Sequence, residues 1–308
     1  MNKGDHATTR RKFLKTAAAG IALSLTGGPS FSLAKEEYDL AVISGEPAAA
    51  TRKALEAMGG ISRFVKKGQR VVLKPNMSFA RTPDFSATTH PLVVATVAQA
   101  CMEAGAQQVL VLDHTLQRAE FCLERAGIRE ACENISGVHV LALQERKFFG
   151  EIKVPQGKVL ERVEVFKEIL DGHVLINIPV AKSHSATGVS LGLKGLMGMI
   201  WDRESFHSQY NINQAIADLA TVIKPQLTIL DATRALASGG PGGPGEVKKP
   251  NLVVAGIDPI AVDSYGVSIV PWYGQTFKGR QVEHVLAAHQ RGLGKIDVEQ
   301  LKIFKEKV

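Results

Sequence analysis

Short apolar segments that alternate with helical patterns constrain the fold of this 308-residue sequence more than any other feature. Each apolar segment is short and rich in β-branched residues, which is typical of buried strands. In the first half of the chain, strands are predicted at 37–44, 69–73, 107–112 and 137–143, and helices at 48–58, 91–106 and 118–126. This order predicts parallel strands joined by helical crossovers.

The second half continues the pattern after an interruption. Residues 144–165 alternate in polarity around Gln156-Gly157, which predicts a hairpin or a small excursion at the sheet edge. Further strands are predicted at 173–180, 226–230, 252–257 and 301–304, and helices at 212–223, after Asp258-Pro259, and at 281–290. The sequence has neither an internal repeat nor a linker. It therefore predicts one α/β domain over residues 35–308, with a three-layer, mainly parallel, doubly wound sheet flanked by helices.

The first 34 residues have the pattern of an export signal. Arg10-Arg11 stand in the twin-arginine sequence TRRKFLK, and a weakly apolar run, 16–28, follows. Small residues at Ser32 and Ala34 predict cleavage after Ala34. The run is too short for a membrane span. We therefore expect an exported, periplasmic protein that uses the twin-arginine translocase and is not an integral membrane protein.

The charge of the chain argues against nucleic acid as a partner. The net charge is +7, but the predicted leader holds five basic residues and one acid, so 32 basic and 29 acidic residues remain. A net charge of +3 without an arginine-rich stripe is not the pattern of a nucleic-acid-binding protein. We therefore expect a small-molecule ligand instead.

The three cysteines limit the cofactors that the chain can hold. Cys101, Cys122 and Cys132 include no C-x-x-C pair, so this chain alone cannot build a four-cysteine iron–sulfur cluster. Cys101 lies in an apolar helical pattern and is expected in the core. Whether Cys122 and Cys132 pair in an oxidising compartment is left open by the sequence.

Residues 173–201 carry the densest group of candidate site residues. A predicted buried strand is followed by Lys182, Ser183 and His184, which are expected in a loop. The next segment has apolar residues at helical spacing, and its opposite face would carry Thr187, Ser190 and Lys194. Strand-to-helix loops are where open α/β sheets bind ligands. The segment therefore predicts one wall of an anion pocket, although the polar residues could instead simply cap the helix.

Other predicted strands also end in polar residues. Lys74-Pro75-Asn76, Asp113 and Asp231 follow three of them, and Asp263 lies within a later helix. If the strands are neighbours, their ends converge on one rim; if they are not, each end is separately solvated. On a common rim, Lys74, Asn76 and the lysines of 173–201 would bind an anion, and the aspartates would bind a divalent metal or orient His184.

Other motifs are less specific. The segment SGGPGGPG, with Gly239, Gly240, Gly242 and Gly243, can be a lid, an anion-binding loop or a flexible connector, and it is not a P-loop. The histidines lack the i, i+4 spacing of zinc motifs. His284 lies on a predicted helix and is expected to be solvated.

Several of these motifs, in this order, resemble the family called domain of unknown function 362. The resemblance covers roughly residues 38–270 and rests on these segments: Lys74-Pro75-Asn76, Asp113, Pro179 to His184, Thr187, 193–198, Asp231, GGPGGPG and 258–263. Many relatives look like iron–sulfur proteins with an attached ferredoxin-type module. Because this chain lacks those cysteines, the resemblance implies an iron–sulfur role only if a cysteine-rich partner supplies the cluster.

Together these features favour an exported enzyme that acts on a small carboxylate or phosphate, with a divalent metal as the candidate cofactor. His184 and Lys182 would be the catalytic groups. Two alternatives remain open, and with them the question whether the protein is an enzyme at all. One is a non-catalytic periplasmic protein that binds a metal or metabolite, and the other is an accessory subunit of a redox complex.

Overall fold

A computed structural model of the protein describes residues 37–308 together with Met1, and the predicted leader lies outside the described residues. Residues 37–308 cluster as one unit. The strands are β1 (Leu40–Ser44), β2 (Arg70–Pro75), β3 (Gln108–Asp113), β4 (Val138–Ala142), β5 (Phe149–Lys153), β6 (Arg162–Phe166), β7 (Val174–Ile178), β8 (Val180–His184), β9 (Gly188–Ser190), β10 (Leu227–Leu236), β11 (Val247–Lys248), β12 (Leu252–Gly256) and β13 (Ile303–Lys307).

The α-helices mostly connect consecutive strands. They are α1 (Pro47–Ala57), α2 (Pro91–Glu103), α3 (Ala119–Ala126), α4 (Ile128–Cys132), α5 (Lys167–Leu170), α6 (Gly192–Gly195), α7 (Glu204–Ser208), α8 (Ile212–Val222), α9 (Pro259–Val267) and α10 (Glu283–Gln290). A proline opens α1, α2 and α9, where its fixed φ fits the first helical turn and its missing N–H costs no hydrogen bond. Within the described part of the chain, none of the helices is long and apolar enough to cross a membrane.

One sheet dominates the fold. Within residues 37–308 it contains eleven strands, with the order β13-β1-β12-β10-β7-β2-β3-β4. Strands β8 and β11 also pair with β10, and β9 pairs with β8. From β10 to β4 the neighbours are parallel, whereas β12 runs antiparallel to both β10 and β1. The predicted mainly parallel α/β sheet is therefore confirmed. Strands β5 and β6 form the predicted hairpin, but as a separate two-stranded sheet.

Alternating side chains give the sheet a buried face on each side. Leu40 and Val42 of β1 pack into one core, whereas Ala41 and Ile43 of the same strand pack into the other. Helices α1 to α4 contribute to the second core, and α8 to α10 contribute to the first. Because successive strand residues point to opposite faces, this division produces three layers, as the sequence predicts.

The structure corrects the prediction for residues 182–200. Lys182 and His184 lie on strand β8, not in a loop, and β8 turns back to pair with β9. The helix expected to begin near Thr187 is instead this hairpin, followed by the short helix α6 and a 3₁₀ turn. The glycines at 188, 192, 195 and 198 explain the difference, because glycine weakens a long helix and permits tight turns.

The cysteines are buried free thiols. Cys122 and Cys132 do not pair, and Cys101 lies in the core of α2 as expected. Burial raises the pKa of Cys101 to about 12 and that of Cys132 to about 11, because a thiolate would lose its hydration. These thiols are therefore inert core groups.

Candidate functional site

The carboxyl ends of neighbouring strands bring part of the predicted site together. Strand β2 lies between β3 and β7, and β8 continues from β7 along β10. Lys74, Asp113 and Lys182 therefore occupy the same end of the sheet. Parallel strands always align their carboxyl ends in this way, and that edge is the usual ligand site in α/β folds.

Lys74 and Asp113 form a buried ion pair beneath this edge. The Lys74 Nζ lies 3.0 Å from Asp113 Oδ1, and both side chains are almost completely buried. Asp113 Oδ2 also accepts hydrogen bonds from the Met77 amide at 2.9 Å and the Ser78 hydroxyl at 2.8 Å. Burial lowers the pKa of Lys74, while Asp113 opposes this effect. The charge of Lys74 is thus largely neutralised within the protein rather than offered to a ligand.

Gly198 closes over this pair. A Cβ at this position would meet Asp113 Oδ1 and lie 2.7 Å from Lys74 Nζ. The Gly198 carbonyl also accepts a hydrogen bond from the His114 amide at 2.9 Å. Only glycine fits so close to two charged groups, and this explains one glycine in the 192–198 segment.

A cavity of about 400 Å³ opens above the buried pair. Its wall combines residues from β8, β9, α7, the glycine-rich loop and residues 192–198, which begin with α6 and are called the α6 segment below. The charged and polar residues lining it are Asn76, Ser78, Lys182, His184, Ser185, Ser190, Lys194, Arg203, Glu204 and His207. Among these lining residues the basic groups outnumber the single acid, Glu204, so the cavity is suited to an anion.

Lys182 crosses one side of the cavity. Its Nζ donates a 2.7 Å hydrogen bond to the Ala87 carbonyl and lies 4.7 Å from the centre of the Phe79 ring. The side chain is 1 % exposed. Burial, together with the nearby Lys194 and Lys74, lowers the pKa of Lys182 to about 7, although Asp113 acts in the opposite direction.

Lys194 differs from the other two lysines because nothing holds its amine. It is 8 % exposed, and among the residues that the structure describes it has neither a hydrogen bond nor an ion pair. Burial and the nearby Arg203 lower the pKa of Lys194 to about 7. Its Nζ is not one of the fully buried atoms that lack a hydrogen-bond partner, so the amine is accessible from the cavity and can contact a ligand there.

Asp263 holds the backbone that carries Lys194. Its two carboxylate oxygens accept hydrogen bonds from the amides of Gly192 and Leu193, at 2.7 and 2.8 Å, which are at the start of α6. Complete burial raises the pKa of Asp263 to about 7, although these hydrogen bonds oppose the increase. The unusual buried acid in α9 therefore anchors α6 and is not part of the cavity wall.

His184 lines the cavity as a neutral ring. Its Nδ1 accepts a 3.1 Å hydrogen bond from the Ala186 amide, which places the ring proton on Nε2. Burial and then the positive charge of Lys194 lower the pKa of His184 to about 2. His184 is thus a hydrogen-bond donor through Nε2 rather than a ready proton acceptor.

Two residues near Lys194, Arg203 and His284, were not predicted as parts of the site. Arg203 lines the cavity and donates a 3.1 Å hydrogen bond to the Thr115 carbonyl, and the exposed His207 stacks on His184 with ring centres 5.9 Å apart. His284 was expected to be solvated, and this expectation is wrong. It is fully buried without a hydrogen bond among the described residues, and burial lowers the pKa of His284 to about 3.

The predicted metal ligands are not brought together. Asp113 is bound to Lys74, and Asp263 to α6, whereas Asp231 accepts hydrogen bonds from the His90 amide at 2.7 Å and the Thr233 hydroxyl at 2.7 Å. Each of the three carboxylates is bound by a different set of hydrogen-bond or ion-pair partners. Among the described residues, no group of three or more His, Cys, Asp or Glu is placed to hold a metal ion.

The glycine-rich loop forms part of the cavity rim. The Gly240 amide donates a 3.0 Å hydrogen bond to Ser183 Oγ, and Arg81 Nε donates a 3.1 Å hydrogen bond to the Gly242 carbonyl. Pro241, between them, lines the cavity. The loop is therefore fastened to β8. Gly239 and Gly243 of the same loop have positive φ angles that turn the chain.

Two residues predicted together on a helix face are separated by the hairpin. Ser190 lines the cavity beside Lys182, its partner on β8. Thr187 instead donates a 2.9 Å hydrogen bond to the Val189 carbonyl and faces a different cavity. Asn76 lines the main cavity, and its buried Oδ1 has no hydrogen-bond partner in the described structure.

Sequence comparison identifies the family. The model of the domain of unknown function (DUF362) matches residues 71–268, more than half of the chain. The chain belongs to the DUF362 family. This DUF362 protein is 31 % identical over 229 residues to the thylakoid-associated protein sll1697 of Synechocystis sp., a match that covers 71 % of this chain and 68 % of the relative.

Comparison with solved structures finds a more distant similarity. The DUF362 chain is similar to the lactate racemase apoprotein from Thermoanaerobacterium thermosaccharolyticum, with a TM-score of 0.46 and 13 % identity. The match covers 70 % of this chain and 53 % of that protein. The DUF362 chain thus spans about half the length of that structure.

Proposed function

We propose that this DUF362 protein is an exported enzyme that binds a small carboxylate or phosphate in the cavity of about 400 Å³. The observation that carries the proposal is the charge of the cavity wall. Lys182, Lys194 and Arg203 line it, and Glu204 is the one acid among the lining residues that the structure describes. An anion would supply the negative charge that Lys194 lacks.

The cavity also offers groups for chemistry on a bound anion. His184 presents its Nε2–H as a neutral donor, which can polarise a carbonyl or phosphoryl oxygen. Lys182, with its pKa lowered to about 7, can exchange a proton near neutral pH. These two residues remain the proposed catalytic groups, with Lys194, Arg203 and Ser190 in contact with the anion.

Thermal unfolding with a panel of small anions tests this proposal. At a concentration about 100 times its Kd, a bound anion stabilises the folded state by about 2.7 kcal/mol. Lys194→Met is expected to weaken binding roughly tenfold to a hundredfold, because it removes one charge-assisted hydrogen bond. Lys249→Met, at an exposed lysine, is the matched control and is expected to bind like the wild type.

The results separate the proposal from its alternatives. The proposed anion site at Lys194 would be contradicted if no carboxylate or phosphate stabilised the protein, or if the Lys194→Met and Lys249→Met variants bound the anion equally well. Stabilisation by an anion that is never converted, in assays of the same protein, would instead favour a non-catalytic binding protein. Copurification with a cysteine-rich partner would support the accessory-subunit alternative.

Export by the twin-arginine translocase is a separate part of the proposal and rests on residues 1–34. Replacing Arg10 and Arg11 together by lysine is expected to leave the full-length protein uncleaved in the cytoplasm, because the translocase recognises the arginine pair. Cell fractionation of the tagged protein measures this. Unchanged cleavage and periplasmic recovery of the double variant would contradict this route.

A further inference from the structure

We propose that Lys194 is a nucleophilic amine that forms an imine with a small oxo acid, a molecule that carries a carbonyl group next to its carboxylate. This inference rests on the proposed anion site and narrows its substrate class. It would make the cavity a site of covalent chemistry rather than of simple charge recognition.

The three lysines at this end of the sheet differ in what holds their amines. Lys74 is bound to Asp113 and to the Pro75 carbonyl, and Lys182 donates to the Ala87 carbonyl. Lys194 lines the same cavity, is nine-tenths buried, and has no hydrogen bond or ion pair among the described residues. Its nitrogen lone pair is therefore the one that is free to attack a ligand when the amine is neutral.

The charged groups around Lys194 favour this neutral form. Arg203 acts on it from the segment before α7, Lys182 and His184 face the cavity from β8, and His207 and His284 are close enough on α7 and α10 for Lys194 to lower their pKa. The nearby cation and the neutral histidines provide no negative charge. Glu204, the one acid among the described lining residues, forms no ion pair with Lys194. Burial is the main cause of the lowered pKa, and Arg203 adds to it, so that the pKa of Lys194 is about 7.

The same groups would position an oxo acid. Arg203 keeps its charge at any accessible pH and can bind the carboxylate, while the His184 Nε2–H can donate to the carbonyl oxygen. The adjoining carbonyl carbon would then face the Lys194 amine. Arg203 is itself fixed by its 3.1 Å hydrogen bond to the Thr115 carbonyl, so that the carboxylate position is set by the fold.

The covalent step is a condensation without oxidation or reduction. The Lys194 nitrogen forms a bond to the carbonyl carbon, and the carbonyl electron pair moves to oxygen. The two amine protons are transferred to that oxygen, which leaves as water as the carbon–nitrogen double bond forms. One amine and one oxo acid thus yield one imine and one water, with no other reactant.

Reductive trapping on the full-length protein tests the proposal. The protein is incubated with pyruvate and cyanoborohydride, and the adduct is located by peptide mass mapping. Near pH 7 an amine of pKa about 7 has roughly a thousandfold larger neutral fraction than an exposed lysine, so we expect the adduct at Lys194 before any other lysine. Trapping at Lys194 should increase from about pH 6 to about pH 8, as the amine loses its proton.

Controls separate the chemistry from binding. Lys194→Arg retains a positive charge but cannot form an imine, so its trapped adduct should fall at least about tenfold, whereas Lys249→Arg should trap like the wild type. Thermal stabilisation by pyruvate and acetate is measured in parallel. Pyruvate binding without an adduct at Lys194, or adducts spread over exposed lysines, would overturn the imine while leaving the anion site intact. Absence of binding by either acid would also overturn the imine, whereas the proposed anion site fails only if the wider panel of carboxylates and phosphates gives no stabilisation either.

Discussion

Lys74 and Lys194 are both buried lysines at the same end of one sheet, but only Lys74 has an ion-pair partner among the described residues. Lys74 lies 3.0 Å from Asp113, which two further donors hold in place. Lys194 faces the same cavity as Glu204 but forms no ion pair with it among the described residues, and the positive charge of Arg203 is nearby. The paired charge of Lys74 is part of the protein's own structure, whereas the unpaired amine of Lys194 is the group to which we propose that an anion binds.

Removing the counter-ion of Lys74 should have the largest effect on stability. We expect Asp113→Ala to lower the free energy of unfolding by about 3–5 kcal/mol, because it leaves a buried ammonium without its partner. Chemical denaturation measures the loss. Asp84→Ala, whose side chain is 96 % exposed, is the control and should change stability by less than about 0.5 kcal/mol. Equal small losses in both variants would show that the pair is not structural.

Crowding the same pair should have an intermediate effect. Gly198→Ala places a methyl group against Asp113 Oδ1 and Lys74 Nζ, and we expect it to lower the free energy of unfolding by about 1–3 kcal/mol. At Gly195 the nearest atom to an added Cβ is 3.7 Å away, so Gly195→Ala should be neutral or slightly stabilising. If the two alanine variants unfold alike, Gly198 is not tightly packed against the pair.

The unpaired lysine should have a smaller effect, and one that depends on pH. Its folded-state pKa of about 7 lies below the unfolded value of 10.5, so the unfolded chain holds the proton more tightly. Keeping Lys194 charged in the folded protein therefore lowers the free energy of unfolding. This cost is complete below about pH 7 and decreases between about pH 7 and pH 10.5. Wild-type stability should therefore rise relative to Lys194→Met by up to about 1.4 kcal/mol per pH unit above neutral. A constant difference between the two proteins would contradict the lowered pKa.

The sequence was sufficient to predict the sheet and the edge where the cavity lies. Buried parallel strands such as β2, β3 and β7 have continuous apolar runs, and their polar ends follow directly in the sequence. The convergence of Lys74, Asp113 and Lys182 follows from the strand order, which βαβ connectivity restricts strongly.

The details of the site depended on contacts that local patterns do not contain. Val189 and Leu193 have helical spacing, yet Val189 lies on a hairpin strand, because pairing with β8 outweighs a weak helical tendency in a glycine-rich segment. Arg203 enters the cavity only because the chain folds back after Trp201. The burial of His284 depends on the packing of α10 against α8 and the α6 segment, which no periodicity reveals.

The roles of the aspartates also could not be predicted from the sequence. An acid at a strand end or within an apolar helix predicts a ligand site only if its carboxylate is free. Asp231 and Asp263 are both occupied by hydrogen-bond donors from distant segments, the His90 amide in one case and the start of α6 in the other. Those donors cannot be inferred from the residues that flank each aspartate.

The most direct test of the unpaired lysine is the proton uptake that accompanies anion binding. An anion beside Lys194 should raise its pKa, so calorimetric titration of the protein with acetate or sulfate at about pH 8, in buffers of different ionisation enthalpy, should detect uptake of a fraction of a proton. The account predicts that this uptake is smaller in Lys194→Met, in which Lys182 remains as a second lysine of pKa about 7, and that it is unchanged in Lys249→Met. Anion binding without proton uptake, or with the same uptake in both variants, would contradict it.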